Sequence, residues 1–349
     1  MGLVTCRPRG LPTDSAEEPK KQAQPDQAGP RKIPAGLGAH GAKRRNRALP
    51  DFSSLLMNME WYNSQAAPFL RRFHRRTQAL YAGDFPCAAN PAGTPDFPAQ
   101  FPCSYARSHS DPFVQCLVDA LYPEVGEAMV QVFDRLGVPL IYPEAQTCCG
   151  QPAYNSGHHR EAAVAARRFI DLFEDAEAIV CPSGSCVAMV RRHYPELFAH
   201  QPIMRERALQ VARKTFEFSE YLVDVLGVVD LGAAFSGIAT YHDSCHLART
   251  LGIREQPRQL LRHVRGLSLA EMDNSDACCG FGGTFSVNYP EISLALVDDK
   301  IDNILNSGTD IVVGCDVSCL MNIRGRMSRR GESLRVLHLA QVLAGEERT

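Results

Sequence analysis

The 349-residue chain lacks the marks of several common protein classes. It has no apolar run approaching the roughly 18 residues of a membrane span, and its start lacks the apolar stretch of a secretory signal. The expectation is a cytoplasmic protein, not integral to the membrane. No G-x-G-x-x-G follows a strand-like segment, because Gly280-Phe281-Gly282-Gly283 follows cysteines, so no dinucleotide loop is legible. There is no C-x2-C-x2-C-x3-C-P run, which excludes the ordinary cubane relay within this chain. Residues 111–349 also lack excess positive charge, with 22 Lys+Arg against 31 Asp+Glu, a net of −9. That balance argues against a nucleic-acid partner.

Residues 1–110 differ, with 15 Lys+Arg against 8 Asp+Glu, a net of +7. Pro, Gly, Ala, Arg and Gln dominate there, and no apolar period outlasts one turn. Such a segment cannot bury enough surface to offset its ordering entropy, so a disordered extension is expected. An Arg-rich targeting peptide and a misassigned upstream start are the alternatives.

What the chain does have is cysteine, 13 in all. An odd crowd of thiols in a chain of this size points to metal binding or catalysis rather than a disulfide framework. Cys6, Cys87 and Cys103 follow no spacing. The other ten form one pattern written twice: Cys116, Cys148, Cys149, Cys181 and Cys186, then Cys245, Cys278, Cys279, Cys315 and Cys319. The spacings are C-x31-CC-x31-C-x4-C and C-x32-CC-x35-C-x3-C, with glycine after each vicinal pair. This is an internal duplication, expected as two domains over residues 112–230 and 231–349. With 45% hydrophobic residues the chain can build a core for each.

Periodicity predicts the same element order in both copies. Pro112–Cys116 reads as a strand, Val125 to Leu136 as a helix stopped by Gly137, Val138–Tyr142 as a strand, Ala162 to Phe173 as a helix and Ala178–Cys181 as a strand. In the second copy Ile238–His242, Leu267–Leu269 and Asp310–Cys315 are strands, with helices over Arg258–Val264 and from Leu294 to Leu305. The fold class is therefore α/β, with the cysteines at the carboxyl ends of strands, where such layers carry function. Each copy closes on a similar cysteine-free segment, Phe216–Leu222 and Leu337–Leu343. Residues 187–214 exceed their counterpart and read as an insertion.

Clustered thiolates suit zinc, Cu(I) or iron–sulfur clusters. A structural zinc site takes four ligands, commonly from two C-x2-C knuckles, and a vicinal pair makes poor geometry at one tetrahedral ion. A multi-iron cluster can place neighbouring sulfurs on neighbouring irons. A zinc-stabilised interaction module remains the reading from another functional class. Gly150, Gly280, Gly282 and Gly283 would let backbone N–H groups approach a cluster, or simply form tight turns.

The twofold C-x31–32-CC-G pattern resembles the CCG or cysteine-rich domain family, which includes the CCG-bearing chain of heterodisulfide reductase, glycolate oxidase iron–sulfur subunits and the lactate utilization protein A group. Thr147-Cys148-Cys149-Gly150-Gln151-Pro152, Pro182-Ser183-Gly184-Ser185-Cys186, Cys278-Cys279-Gly280-Phe281-Gly282-Gly283 and Cys319-Leu320-Met321-Asn322-Ile323 are most similar to the last group. The resemblance spans about residues 112–345. It implies two duplicated domains with pseudo-twofold symmetry and noncubane [4Fe–4S] clusters, one or two per chain. It also implies an electron-transfer subunit that works with a ferredoxin-motif iron–sulfur subunit and a third small subunit in oxidising L-lactate to pyruvate. A heterodisulfide reductase-type or glycolate-oxidising role is the alternative. Cys116, Cys148, Cys149, Cys186, Cys245, Cys278, Cys279 and Cys319 carry over as cluster ligands. The family pattern ends in C-x2-C, but Ser183 and Asp316 stand at the expected partner positions. Cys181 and Cys315 are then ligands through a local shift, or buried thiols.

Other residues invite a role. His242 and His246 flank Cys245, as proton relays, alternative ligands or histidines satisfied by backbone. Asp119, Tyr154 and Asn155 could orient a partner, and His158-His159 opens a helix. Arg324, Arg326, Arg329 and Arg330 form a basic run that either docks an acidic partner or is simply solvated.

Overall fold

The computed structural model describes residues 109–345. The expected extension, with Cys6, Cys87 and Cys103, lies outside them except for its last two positions.

The elements follow the punctuation of the sequence. The helix Pro123–Leu136 opens on a proline, where no amide donor is needed, and closes on Gly137 at φ 65°. Its Val125, Met129, Val132 and Phe133 are buried, as the period requires. The helix His159–Phe173 buries Ala162, Ala166, Phe169, Ile170 and Phe173. In the second half Pro290–Asn306 buries Val297, Ile301 and Ile304, while Leu294 is partly exposed.

Two parallel sheets carry these helices. The first joins β1 (Ser110–Pro112), β2 (Ala178–Cys181) and β3 (Thr215–Glu217) in that order. The second contains β4 (Ala234–His242), β5 (Arg265–Leu269), β6 (Ile311–Gly314) and β7 (Arg335–His338), in the order β5-β4-β6-β7.

Two expectations are corrected here. The strand expected over Val138–Tyr142 is a single parallel bridge between Ser110 and Leu140. Pro139 and Pro143 bracket it and lack N–H groups, so only Pro139 O and Ile141 N–H pair with Ser110, at 2.9 and 3.1 Å. The strand expected to deliver Cys116 ends four residues earlier, at Pro112. Cys116 instead opens the helix Cys116–Leu121, whose cap Gln115 accepts the Leu117 N–H through its side chain at 2.8 Å. Pro112 is tolerated because Phe113, not Pro112, donates to Val180 O, at 2.9 Å.

The duplication extends to register. Ser110 pairs with Ala178 as Ala239 pairs with Ile311, and Cys181 with Glu217 as Gly314 with His338. Glu217 and His338 each begin a helix through a capping box. The similar tails read from the sequence are therefore one structural unit used twice. The helix Pro202–Arg213 falls within the expected insertion and has no counterpart between β6 and β7.

One apolar cluster joins the halves. Val118, Met129 and Phe133 from the first meet Tyr241, Val313, Leu339 and Leu343 from the second. Arg135 spans the same boundary, donating to Leu343 O and Ala344 O at 2.9 and 2.7 Å.

Candidate metal centre

Each half brings most of its cysteines together near the carboxyl ends of its strands. In the first, Cys116 Sγ lies 3.5 Å from Cys148 Sγ, and Cys149 Sγ 3.4 Å from Cys186 Sγ. Cys186 lies in the first turn of the helix Gly184–Ala188, whose cap Ser183 accepts the Cys186 N–H through its Oγ at 3.3 Å. The vicinal pairs are shaped by the glycine that follows. Gly150 and Gly280 adopt φ 84° and 80°, and their N–H groups point at Cys148 Sγ and Cys278 Sγ, at 3.4 and 3.3 Å. A Cβ on Gly150 would sit 3.2 Å from Ala162 O, and one on Gly280 would collide with Ser293 O. Conformation and close approach both demand glycine, and the freed amide faces a sulfur.

The buried thiols shift one another. Hydrogen bonds from Cys149 and Cys181 hold the Cys186 thiol down to about 5, and the bond from Cys116 holds Cys148 well below its ordinary range. Cys116 and Cys149, as the donors, are pushed up, and their burial adds to this. Thiols alternating with thiolates make a soft, anionic donor set, which suits a thiophilic metal group.

The second half gathers Cys279 and Cys319 with His242, the three ligand atoms all within 4.8 Å of one another. Burial, then the neighbouring Cys278, pushes the Cys245 thiol up. Its Sγ lies 3.7 Å from His246 Nδ1. His246 also faces the first site, with Nε2 3.5 Å from Gln151 Nε2.

Cys181 and Cys315 do not occupy equivalent positions. Register matches Cys181 to Gly314, which leaves Cys315 matched to Pro182. Cys181 packs with Cys149 and Cys186, whereas Cys315 joins the cluster shared by both halves and accepts the Tyr241 hydroxyl at 3.3 Å. Ser183 and Asp316 meet in an antiparallel bridge between the halves. Asp316 Oδ2 accepts the Ser185 N–H at 2.9 Å and Oδ1 the Ser318 N–H at 3.2 Å. One carboxylate thus helps to cap the two helices that carry Cys186 and Cys319.

The sequence reading missed the residues that hold the cysteine loops. The Gln146 side chain accepts Val114 N–H and donates to Pro112 O, at 2.9 and 2.8 Å, fixing the approach to Cys148. Asp243 receives both Arg258 terminal nitrogens at 2.9 and 2.8 Å and Ser275 Oγ at 2.7 Å. The buried Lys300 ammonium donates to Asn274 O and Ser275 O at 2.8 and 3.0 Å, fixing the approach to Cys278. Lysine on the buried face of an otherwise regular helix was the available signal.

The remaining candidates are largely committed within the protein. Tyr154 stacks between His159 and His193, at 4.8 and 4.4 Å, and donates its hydroxyl to Glu196. Asn155 ends the short helix after Gly150, His158 stands just before the next helix without a side-chain capping bond, and Asp119 is buried in Cys116–Leu121. Arg326 and Arg330 pair with Asp298 and Asp302, and Arg324 lies 4.6 Å over the Tyr122 ring. His242 differs, being 1% exposed with neither ring nitrogen in a well-aligned hydrogen bond, although the Ser275 backbone lies near. Burial pushes its imidazole down to about 3, so it is neutral.

No helix among the described residues is long and apolar enough to cross a membrane. The cysteine-rich domain family model matches residues 112–191 and 239–324, one segment in each half. Lactate utilization protein A of an Exiguobacterium species is 52% identical over 233 residues, 66% of this chain and 95% of that protein. Lactate utilization protein A of Bacillus cereus strain G9842 is 51% identical over 231 residues, again 66% of this chain and 96% of the relative. A Bacillus thuringiensis protein of the same name matches equally, 51% over 231 residues. Two cysteine-rich halves with their thiols gathered beyond parallel strands, and identity running nearly the full length of these relatives, place this chain in the lactate utilization protein A family of CCG-domain proteins.

Proposed function

We propose that this chain is the iron–sulfur electron-transfer subunit of an L-lactate-oxidising complex. The observation that carries the reading is the repeated CC-G turn, in which vicinal thiols converge with a further helix-borne cysteine while a glycine amide points at a sulfur. Oxidation of lactate to pyruvate releases two electrons and two protons, and a bound iron–sulfur cluster supplies one-electron acceptance and donation. Cys116, Cys148, Cys149 and Cys186 would hold one such group, and Cys245, Cys278, Cys279 and Cys319 another. Gly150 and Gly280 would steady sulfur charge through their amides. Cys181 stands close enough to join the first site, whereas Cys315 packs toward the shared core. The domain boundaries that fit this reading are residues 112–230 and 231–349. A ferredoxin-motif subunit and a third small subunit would complete the electron path in the cytoplasm.

The test is iron, sulfide and zinc content, with visible and EPR spectra, on the full chain prepared without oxygen. About eight irons and eight sulfides per chain are expected for two [4Fe–4S] groups, with bleaching by lactate once the partner subunits are added. Zinc without sulfide would replace this reading with a zinc-stabilised module.

A further inference from the structure

The two halves differ where their donor sets would be expected to match. Register places His242 where the first half has Phe113, and Gly314 where it has Cys181. His242 and Gly314 are neighbours across the β4–β6 pair, as Phe113 and Cys181 are beside one another beyond β1 and on β2. Paired residues of a parallel ladder project to the same face of the sheet. The first half therefore offers an aromatic ring and a thiol to its site, and the second an imidazole and a hydrogen atom. A donor missing from one strand is present on the next.

The surroundings agree with that exchange. Phe113 packs edge-on against Phe169 and Phe173, with ring centroids 4.8 and 5.9 Å away, while Cys181 lies in the same buried cluster as Cys149 and Cys186. His242 is just as buried, neither ring nitrogen makes a well-aligned hydrogen bond although the Ser275 backbone lies near, and one of them lies within 4.8 Å of both Cys279 Sγ and Cys319 Sγ.

We propose that His242 is a ligand of the second site, donating a ring-nitrogen lone pair there in the role the Cys181 sulfur can fill in the first. The chain then holds one all-sulfur site and one mixed sulfur–nitrogen site. The inference rests on the two metal sites proposed above and adds their inequivalence. A neutral imidazole in place of a thiolate removes one negative charge from the donor set and raises the reduction potential. Electrons would collect at the second site, giving the duplicated chain a direction.

The test is pulsed EPR on the full chain, prepared without oxygen with 15N-labelled and with unlabelled histidine, alongside metal and sulfide content. The expected result is strong nitrogen hyperfine coupling on one of two signals. It should change on labelling, vanish in His242→Phe, which installs the side chain the first half uses, and survive in His246→Gln. Metal at both sites without histidine coupling in the wild type overturns this inference alone, and needs no variant to fold. Coupling that survives His242→Phe, or that vanishes in His246→Gln, overturns it as well. Absence of metal from the wild type overturns the iron–sulfur reading, and this inference with it.

Discussion

His338 shows what single residues contribute across the boundary between the halves. Its Nδ1 accepts the Ala340 N–H at 3.1 Å, which leaves Nε2–H to donate to Pro182 O at 3.1 Å. Only the neutral ring can make both bonds, and burial pushes its pKa down to about 4. The unfolded state takes up the proton near pH 6.5 and the folded state only near pH 4. Stability is therefore complete above about 6.5 and falls by about 3 kcal/mol as the pH drops through that window. Denaturant melts at pH 7 and pH 4.5 should show a smaller acid loss in His338→Asn, which keeps the cap and removes the titration. An equal loss in both proteins would assign acid sensitivity to other groups.

At the scale of elements, the CC-G turns depend on the helix that passes behind each of them. Gly280 is closed in by Ser293 and Leu296 of Pro290–Asn306, and Gly150 by Ala162 and Ala165 of His159–Phe173. Gly280→Ala combines a left-handed backbone with a collision against backbone, a cost of about 2–5 kcal/mol, and should empty the second site while sparing the first. Gly150→Ala, with its milder contact, should fall toward the lower end of that range. Metal content and thermal melts of the two variants check both. These turns were legible because CC-G is a local pattern, and so were helices stopped by glycine. The strand at Leu140 failed because Pro139 within the apolar run and Pro143 just after it remove ladder donors. Gln146, Asp243 and Lys300 went unread because their partners lie on segments brought close only by the fold. The Cys181 and Cys315 spacings looked alike, yet the strand register gives each a different neighbour.

For the whole molecule, the shared core decides how independent the halves can be. Phe133, Tyr241, Val313 and Leu339 are all buried in one cluster to which both halves contribute. Separating the chain after residue 230 would expose that surface on both pieces, and large apolar patches on a free domain favour aggregation. Residues 109–230 and 231–349 expressed apart should be insoluble or bind a hydrophobic dye without a cooperative melt, and should recover when co-expressed. A cooperative melt from either piece alone would contradict this.

The bridge between Ser183 and Asp316 bears on how such a molecule can come about. These residues hold the same place in the two halves, and they face each other, so they sit on the pseudo-twofold axis. In a dimer of identical subunits, a residue on the axis meets its own copy. Two aspartates there would repel, and two serines would lack the carboxylate that reaches Ser185 and Ser318. Unlike partners on an axis need two different sequences, which one chain carrying both halves supplies, and reversion to a homodimer would forfeit this contact.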